Sequence, residues 1–181
     1  MGRAGLNAVL RPATSADLDA VAEIFAWYAQ HTVITFEETP RAPQEWEQIH
    51  DVLNGLGLPF LVAEADGRVA GYAYASPWRH KPGYRHTVED SVFVARGLTG
   101  RGIGRVLLGG LLSSCSSSGV RQVIAVIADT GDQASTALHR TFGFTDVGRL
   151  SQVGYKQDRW IDTVIMQCSL PSTCAVTGPV R

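Results

Sequence analysis

From Val94 to Leu112 the chain reads VARGLTGRGIGRVLLGGLL, a strand-like start, a glycine turn and a helical finish. Gly97, Gly100, Gly102 and Gly104 fall close together, with Arg101 among them and Arg96 and Arg105 at either end. Glycines in such density cost backbone entropy, and a ligand that approaches bare main chain there would explain them. A strand, a turn and a helix N-terminus offer free N–H groups and the positive end of a helix dipole. The arginines add charge-assisted donors. The ligand chemistry this suits is a phosphate or pyrophosphate. The turn is not a nucleotide P-loop, because Ile103-Gly104 stands where Lys-Ser/Thr would be needed, and Arg105 breaks G-x-G-x-x-G. Read without a ligand, the same glycines make a tight turn that packs a helix on a sheet.

Other residues able to do chemistry lie on either side. Glu89 sits inside an apolar strand just before the turn, where a carboxylate can act as a general base. Asp90 has the opposite parity and is expected on the other sheet face. Arg79, His80, Lys81, Arg85 and His86 crowd one loop, either as a solvated positive surface or as an anion clamp. His139 precedes Gly143 by four residues on a helical stretch. It either titrates near a reacting group or makes a local hydrogen bond. Cys115 lies in a helix without a flanking histidine motif and is not expected to be a nucleophile. The five histidines are scattered, H-x-x-E-H and C-x-x-C are absent, and no metal site is expected. G-x-S-x-G is absent too.

The elements that position these residues follow from pattern. Asn7 to Arg11 reads as a strand. Leu18, Val21, Ile24, Phe25 and Tyr28 keep helical spacing behind Thr14-Ser15. Pro43 opens a second helix with Trp46, Ile49 and Leu53 on one face. PFLVAEADGRVAGYAYAS is two strands joined at Asp66-Gly67. HTVEDSVFVA runs as a strand into the glycine turn, and Val106 to Ser117 is a helix. VRQVIAVIA is apolar enough for a strand buried on both faces. Ala134 to Phe142 is a helix ended by Gly143, and two strands fit between Phe144 and Leu170. The order βααβββαβαββ predicts an α/β (α+β) fold, a mixed sheet covered by helices.

Bulk properties narrow the classes. The 181 residues are 45% hydrophobic and 18% charged, with a net charge of -1, so neither nucleic acid nor an acidic membrane is an expected partner. No apolar run reaches the ~18 residues of a membrane span. Met1-Gly2-Arg3 begins no apolar leader core, and Cys115, Cys168 and Cys174 read as reduced thiols. A cytoplasmic location is the expectation. Residues 1–170 are expected to form one domain, and 171–181 a flexible tail.

The turn VFVARGLTGRGIGRVLL resembles the acyl-CoA-binding motif Q/R-x-x-G-x-G/A of the GNAT family of N-acetyltransferases. Gly102 and Gly104 match its glycines, and Thr99 departs at the Q/R position. DQASTALHRTFGF resembles the later family motif N-x-x-S-x-x-x-Y/H-x-x-x-G-F/Y. Ser135, His139, Gly143 and Phe144 match, and Asp132 stands in place of Asn. SPWRHKPGYRHTVEDSVFV and SQVGYKQDRWID are similar to the phosphinothricin and methionine sulfoximine/sulfone branch, which acetylates the α-amino group of amino-acid analogues.

The resemblance implies a mixed, mostly antiparallel sheet of about seven strands with about four helices. It implies acetyl-CoA as cosubstrate, held by Val92, Val94, Gly100, Arg101, Gly102, Ile103, Gly104, Arg105 and Ser135. Glu89 takes the role of general base, and His139 that of proton donor or cofactor contact. The backbone N–H of Val92 is a candidate for polarising the acetyl carbonyl. An amino-acid carboxylate needs a charged partner, here Arg79 or Arg85, and Phe36 and Trp78 can wall the side-chain pocket. Asp132 completes the candidate substrate contacts. A homodimer is also implied, in which Ser151 to Asp162 can supply the interface or close the pocket across it. The competing readings are acetylation of a peptide N-terminus or polyamine, and an acyl-CoA sensor without catalysis.

Overall fold

A computed structural model describes residues 7–171. The expected tail, apart from Pro171, and Cys174 lie outside the described residues. Seven strands form one sheet: β1 (Val9–Pro12), β2 (Phe60–Ala65), β3 (Arg68–Pro77), β4 (Thr87–Val94), β5 (Gln122–Ala128), β6 (Thr145–Lys156) and β7 (Arg159–Ser169). Their spatial order is β1-β2-β3-β4-β5-β7-β6. The β4–β5 pair is parallel and the other pairs are antiparallel. Four helices accompany them: α1 (Leu18–His31), α2 (Pro43–Gly55), α3 (Ile103–Ser117) and α4 (Ala134–Arg140). The expected order of elements is the observed one.

Each sheet face has its own core. On one face α3 buries Ile103, Leu107, Leu108 and Leu111 against Ala73, Ala75, Val88 and Val123. On the other, α1 and α2 bring Val21, Phe25 and Trp46 onto Phe60, Tyr72 and Tyr74. The second core is mostly aromatic, with Phe25 and Trp46 meeting edge-on at 5.3 Å. Pro43 occupies the first turn of α2, and the Glu45 carboxylate accepts from the Ala42 N–H at 2.7 Å.

Local signals moved some boundaries. The first strand is Val9–Pro12 rather than Asn7 to Arg11, set by pairing with Leu61–Glu64. α3 begins at Ile103, not Val106, because Gly102 takes the left-handed N-cap conformation (φ 88°) and turns the chain into the helix at once. Ile103 is then buried as the first core residue of α3. α4 ends at Arg140, and the chain turns through Phe142 to a left-handed Gly143.

Candidate active site

Two features of β4 make the site. The first is its partial partnership with β5. The strands pair only at Thr87–Glu89 against Gln122–Ile124. Beyond that point β4 stays with β3 through Val94, and β5 stays with β7 through Ala128. The Trp78 N–H donates to the Thr87 carbonyl and the Ala95 N–H to that of Ala70. Odd-numbered residues of β4 therefore turn their main-chain groups to β3, and Asp90, Val92 and Val94 turn theirs to β5. Where β5 has departed, those groups line a cleft. The Tyr28 hydroxyl already donates to the Val94 carbonyl at 2.8 Å, which leaves the Val94 N–H and both groups of Val92.

The glycine turn lies at the end of this cleft. Arg105 and Val106 donate to the Gly102 carbonyl, and the N–H groups ahead of them have no acceptor within the helix. A Cβ at Gly102 would meet open space, so the main chain is approachable from outside. Arg101 Nε is buried and unpartnered among the described residues. An orphaned guanidinium N–H beside free helix N–H groups fits an anionic group. The Ile103 side chain belongs to the core, so its contact with a ligand is main-chain only. Gly104 lets α3 pack tightly on α4, since a Cβ there would press on Leu138 at 3.2 Å.

The second feature is side-chain alternation. Glu89, Ser91 and Phe93 face the aromatic core, beside a cavity of about 500 Å³ that Phe36, Arg41 and Tyr74 also line. Burial, and then the charge of Asp90, push the Glu89 carboxyl above its usual range, while Arg79 pulls it back. Glu89 makes no side-chain hydrogen bond among the described residues. A half-buried carboxylate with a raised pKa and free oxygens is suited to accept a proton.

Asp90 points to the opposite face, as its parity predicts, and meets His139 there. His139 Nε2 lies 2.9 Å from Asp90 Oδ2, and Nδ1 lies 2.7 Å from the Ser135 carbonyl oxygen. Both side chains are buried. Two acceptors around one imidazole favour the doubly protonated ring. Burial pushes the His139 pKa down, but Asp90 and the Ser135 carbonyl outweigh it, and the net shift is upward. Cys115 is buried on this face, and burial with the nearby Asp90 charge pushes its thiol up to about 12. Such a thiol supplies no thiolate near neutrality.

The remaining candidates are dispersed. Phe36 shares the cavity with Glu89. Arg79 stacks its guanidinium over Trp78 at 4.7 Å and acts on Glu89 by charge. Arg85 is exposed and donates to the Pro82 carbonyl at 3.3 Å. Asp132 lines a separate cavity with Arg140 and Arg149, and its carboxylate accepts from the Ala134 N–H at 2.9 Å. Ser135 is exposed at the start of α4.

Sequence reasoning missed Arg41. It lies over the rings of Phe25 and Trp46, at 4.9 and 5.3 Å, and donates to Glu37 at 3.0 Å. Its four-residue offset from Glu37, between Pro40 and Pro43, is the only trace it leaves in the sequence.

A seven-stranded sheet that parts between its two parallel strands, with a glycine turn at the end of the cleft, defines an acyltransferase-type fold. The chain belongs to the Acetyltransferase (GNAT) family, whose model matches residues 19–144. It is 44% identical over 151 residues to a phosphinothricin N-acetyltransferase of Alcaligenes faecalis, covering 83% of this chain and 77% of that protein. It is 37% identical to an L-methionine sulfoximine/L-methionine sulfone acetyltransferase of Pseudomonas aeruginosa, covering 93% of this chain and 98% of that one. The crystal structure of a Sinorhizobium meliloti phosphinothricin acetyltransferase in complex with AcCoA superposes with a TM-score of 0.88 at 40% identity, covering 97% of this chain and 94% of that chain.

Proposed function

We propose that this protein is an acetyl-CoA-dependent N-acetyltransferase acting on the α-amino group of a small amino acid or analogue. The acceptor class is that of phosphinothricin, methionine sulfoximine and methionine sulfone, the compounds in its relatives' names. The observation that carries this reading is Glu89. It stands on the acceptor cavity with a raised pKa, one strand position before the cleft opens.

Acetyl-CoA, when bound, supplies the acetyl group as an activated thioester. The N–H groups of the Gly100–Gly104 stretch, with Arg101 and Arg105, hold its phosphates, and Val92 and Val94 hold its arm along β4. Ser135 adds a contact from α4. Glu89 accepts a proton from the acceptor ammonium, directly or through a water, and so frees the nitrogen lone pair to attack the acyl carbon directly in a ternary complex; as the C–N bond forms the C–S bond breaks, and CoA leaves as a thiolate that takes up the nitrogen's second proton. The Val92 N–H is the donor offered to the acetyl oxygen as charge develops on it. His139 keeps α4 against β4 through Asp90. Arg41, pre-ordered over two rings, joins Arg79 and Arg85 as a partner for the acceptor carboxylate.

The protein works as a cytoplasmic homodimer in this proposal. Two observations support that assembly and location. Cys115 and Cys168 are buried free thiols. The β6–β7 edge exposes Leu150, Val153, Tyr155 and Trp160, an apolar surface of the kind a second copy covers. A sedimentation mass of one chain would remove the dimer.

The test of function is thiol release from acetyl-CoA with a panel of acceptors: L-methionine sulfone, L-methionine sulfoximine, phosphinothricin, common amino acids, spermidine and a peptide. Release with the first three, abolished by Glu89→Gln, is the expected result. Release with only spermidine or the peptide overturns the acceptor class. Acetyl-CoA binding without release from any acceptor turns the reading toward a sensor.

A further inference from the structure

One wall of the acceptor cavity belongs to neither the sheet nor a helix. Residues 32–42 cross from α1 to α2 without regular structure, and Thr35, Phe36, Glu37 and Arg41 face the cavity from this crossing. Holding such a segment in one shape costs conformational entropy. Its own restraints are short-range, the Arg41 donation to Glu37 at 3.0 Å among them. The N–H groups of Ile34 and Glu37 donate to Thr32 Oγ1 and Thr35 Oγ1 at 3.2 and 3.3 Å.

A stronger restraint comes from far along the chain. Lys156, the last residue of β6, is only 4% exposed, and its Nζ donates to the carbonyl oxygens of Thr35 at 2.8 Å and Glu37 at 2.6 Å. A buried ammonium requires partners, and these are main-chain atoms that cannot swing away as a side chain can. Burial lowers the Lys156 pKa, as expected of a cation kept from water. Gly154 shares the inward face of β6 with Lys156. A Cβ on Gly154 would collide with the Phe36 ring. Lys156 thus pins the backbone on both sides of Phe36, while Gly154 makes the seat for its ring.

We propose that Gly154 and Lys156 are positioning residues that set the shape of the acceptor cavity, and with it acceptor selectivity, without touching the acceptor. This rests on assigning that cavity to the acceptor. Lys156→Met keeps the apolar stem and removes both donors. Gly154→Ala keeps Lys156 and displaces Phe36. In Lys156→Met the KM for L-methionine sulfone is expected to rise roughly tenfold or more, the fold-change of one lost charge-assisted hydrogen bond, and in Gly154→Ala, which displaces Phe36 without losing that bond, it is expected to rise by a smaller factor. The KM for acetyl-CoA is expected to stay within about twofold, a split that a general loss of structure would not give. Amide hydrogen exchange in Lys156→Met is expected to quicken over residues 32–42 and nowhere else.

An unchanged acceptor KM in a folded variant overturns the proposal, as does an equal rise in both KM values. If Lys156→Met does not fold, Gly154→Ala carries the kinetic test alone. If the wild-type protein acetylates none of the acceptors, the functional reading has failed. The exchange rates of 32–42 in the two variants then decide the positioning role by themselves. Faster exchange confined to that segment supports it, and unchanged exchange overturns it.

Discussion

Glu89 and Asp90 are chain neighbours with the same charge, and β4 sends them to opposite faces of the sheet. On Glu89's face lie the cavity, the aromatic core and the cations Arg41 and Arg79, with water within reach. Its oxygens carry no hydrogen bond among the described residues. On Asp90's face lie α3, α4 and a buried, mostly aliphatic core. There Oδ2 meets His139, and Oδ1 is buried without a partner among the described residues. One carboxylate is left able to exchange a proton, and the other is locked into structure. What separates them is partner and solvent access, not residue type.

The sharpest way to test that contrast is to neutralise each in turn. Glu89→Gln keeps shape and removes the base. It is expected to lower kcat by roughly 10²–10⁴, the usual worth of general-base catalysis. Thermal unfolding is expected to move by less than about 0.5 kcal/mol, since no hydrogen bond is lost. Asp90→Ala should do the reverse. It leaves a buried imidazole without its counter-charge, at a cost of about 3–5 kcal/mol of stability. For a chain of this length that is a fall in Tm of roughly 2–4 °C per kcal/mol. Calorimetry and initial rates on both variants settle the matter. A stable Asp90→Ala protein, or an unstable Glu89→Gln one, breaks the comparison.

A smaller effect links the two faces. The Asp90 charge is one of the causes that raise the Glu89 pKa. Asp90→Asn removes that charge while keeping the side chain's size. The acid limb of the kcat/KM profile, where Glu89 must lose its proton to work, is therefore expected to move to lower pH. A limb that stays in place would mean that burial and Arg79 tune Glu89 without Asp90.

The opposition of these residues is legible in the sequence because strand alternation is strictly local, and HTVEDSVFV has no bulge to reset it. The glycine turn is legible for a related reason. Four glycines among arginines have few other uses, and two spaced motifs support one family. The contacts that complete the site are long-range and leave no period. Asp90 meets His139 across 49 positions, and Lys156 reaches Thr35 across 121. Arg41 stands in a crossing without regular structure, so no face could be assigned to it. The early start of α3 was hidden for the opposite reason. Gly102 and Gly104 read as a continuing turn, whereas a left-handed Gly102 caps the helix at once.

The weakest of these effects concerns pH and stability on the Asp90 face. The folded-state pKa of His139 lies above the ordinary 6.5. Burial lowers it, but Asp90 more than compensates. A raised pKa means that the folded protein binds the His139 proton more tightly than the unfolded chain does. The stability so gained is complete below about 6.5 and is lost as pH climbs through the folded value. Wild-type Tm is therefore expected to decline modestly as pH climbs through the folded-state pKa of His139. His139→Gln should flatten that decline, because the group whose proton the folded state holds is gone. Tm measured across pH for both proteins is the check. A slope that survives in His139→Gln would place its origin outside the Asp90–His139 pair.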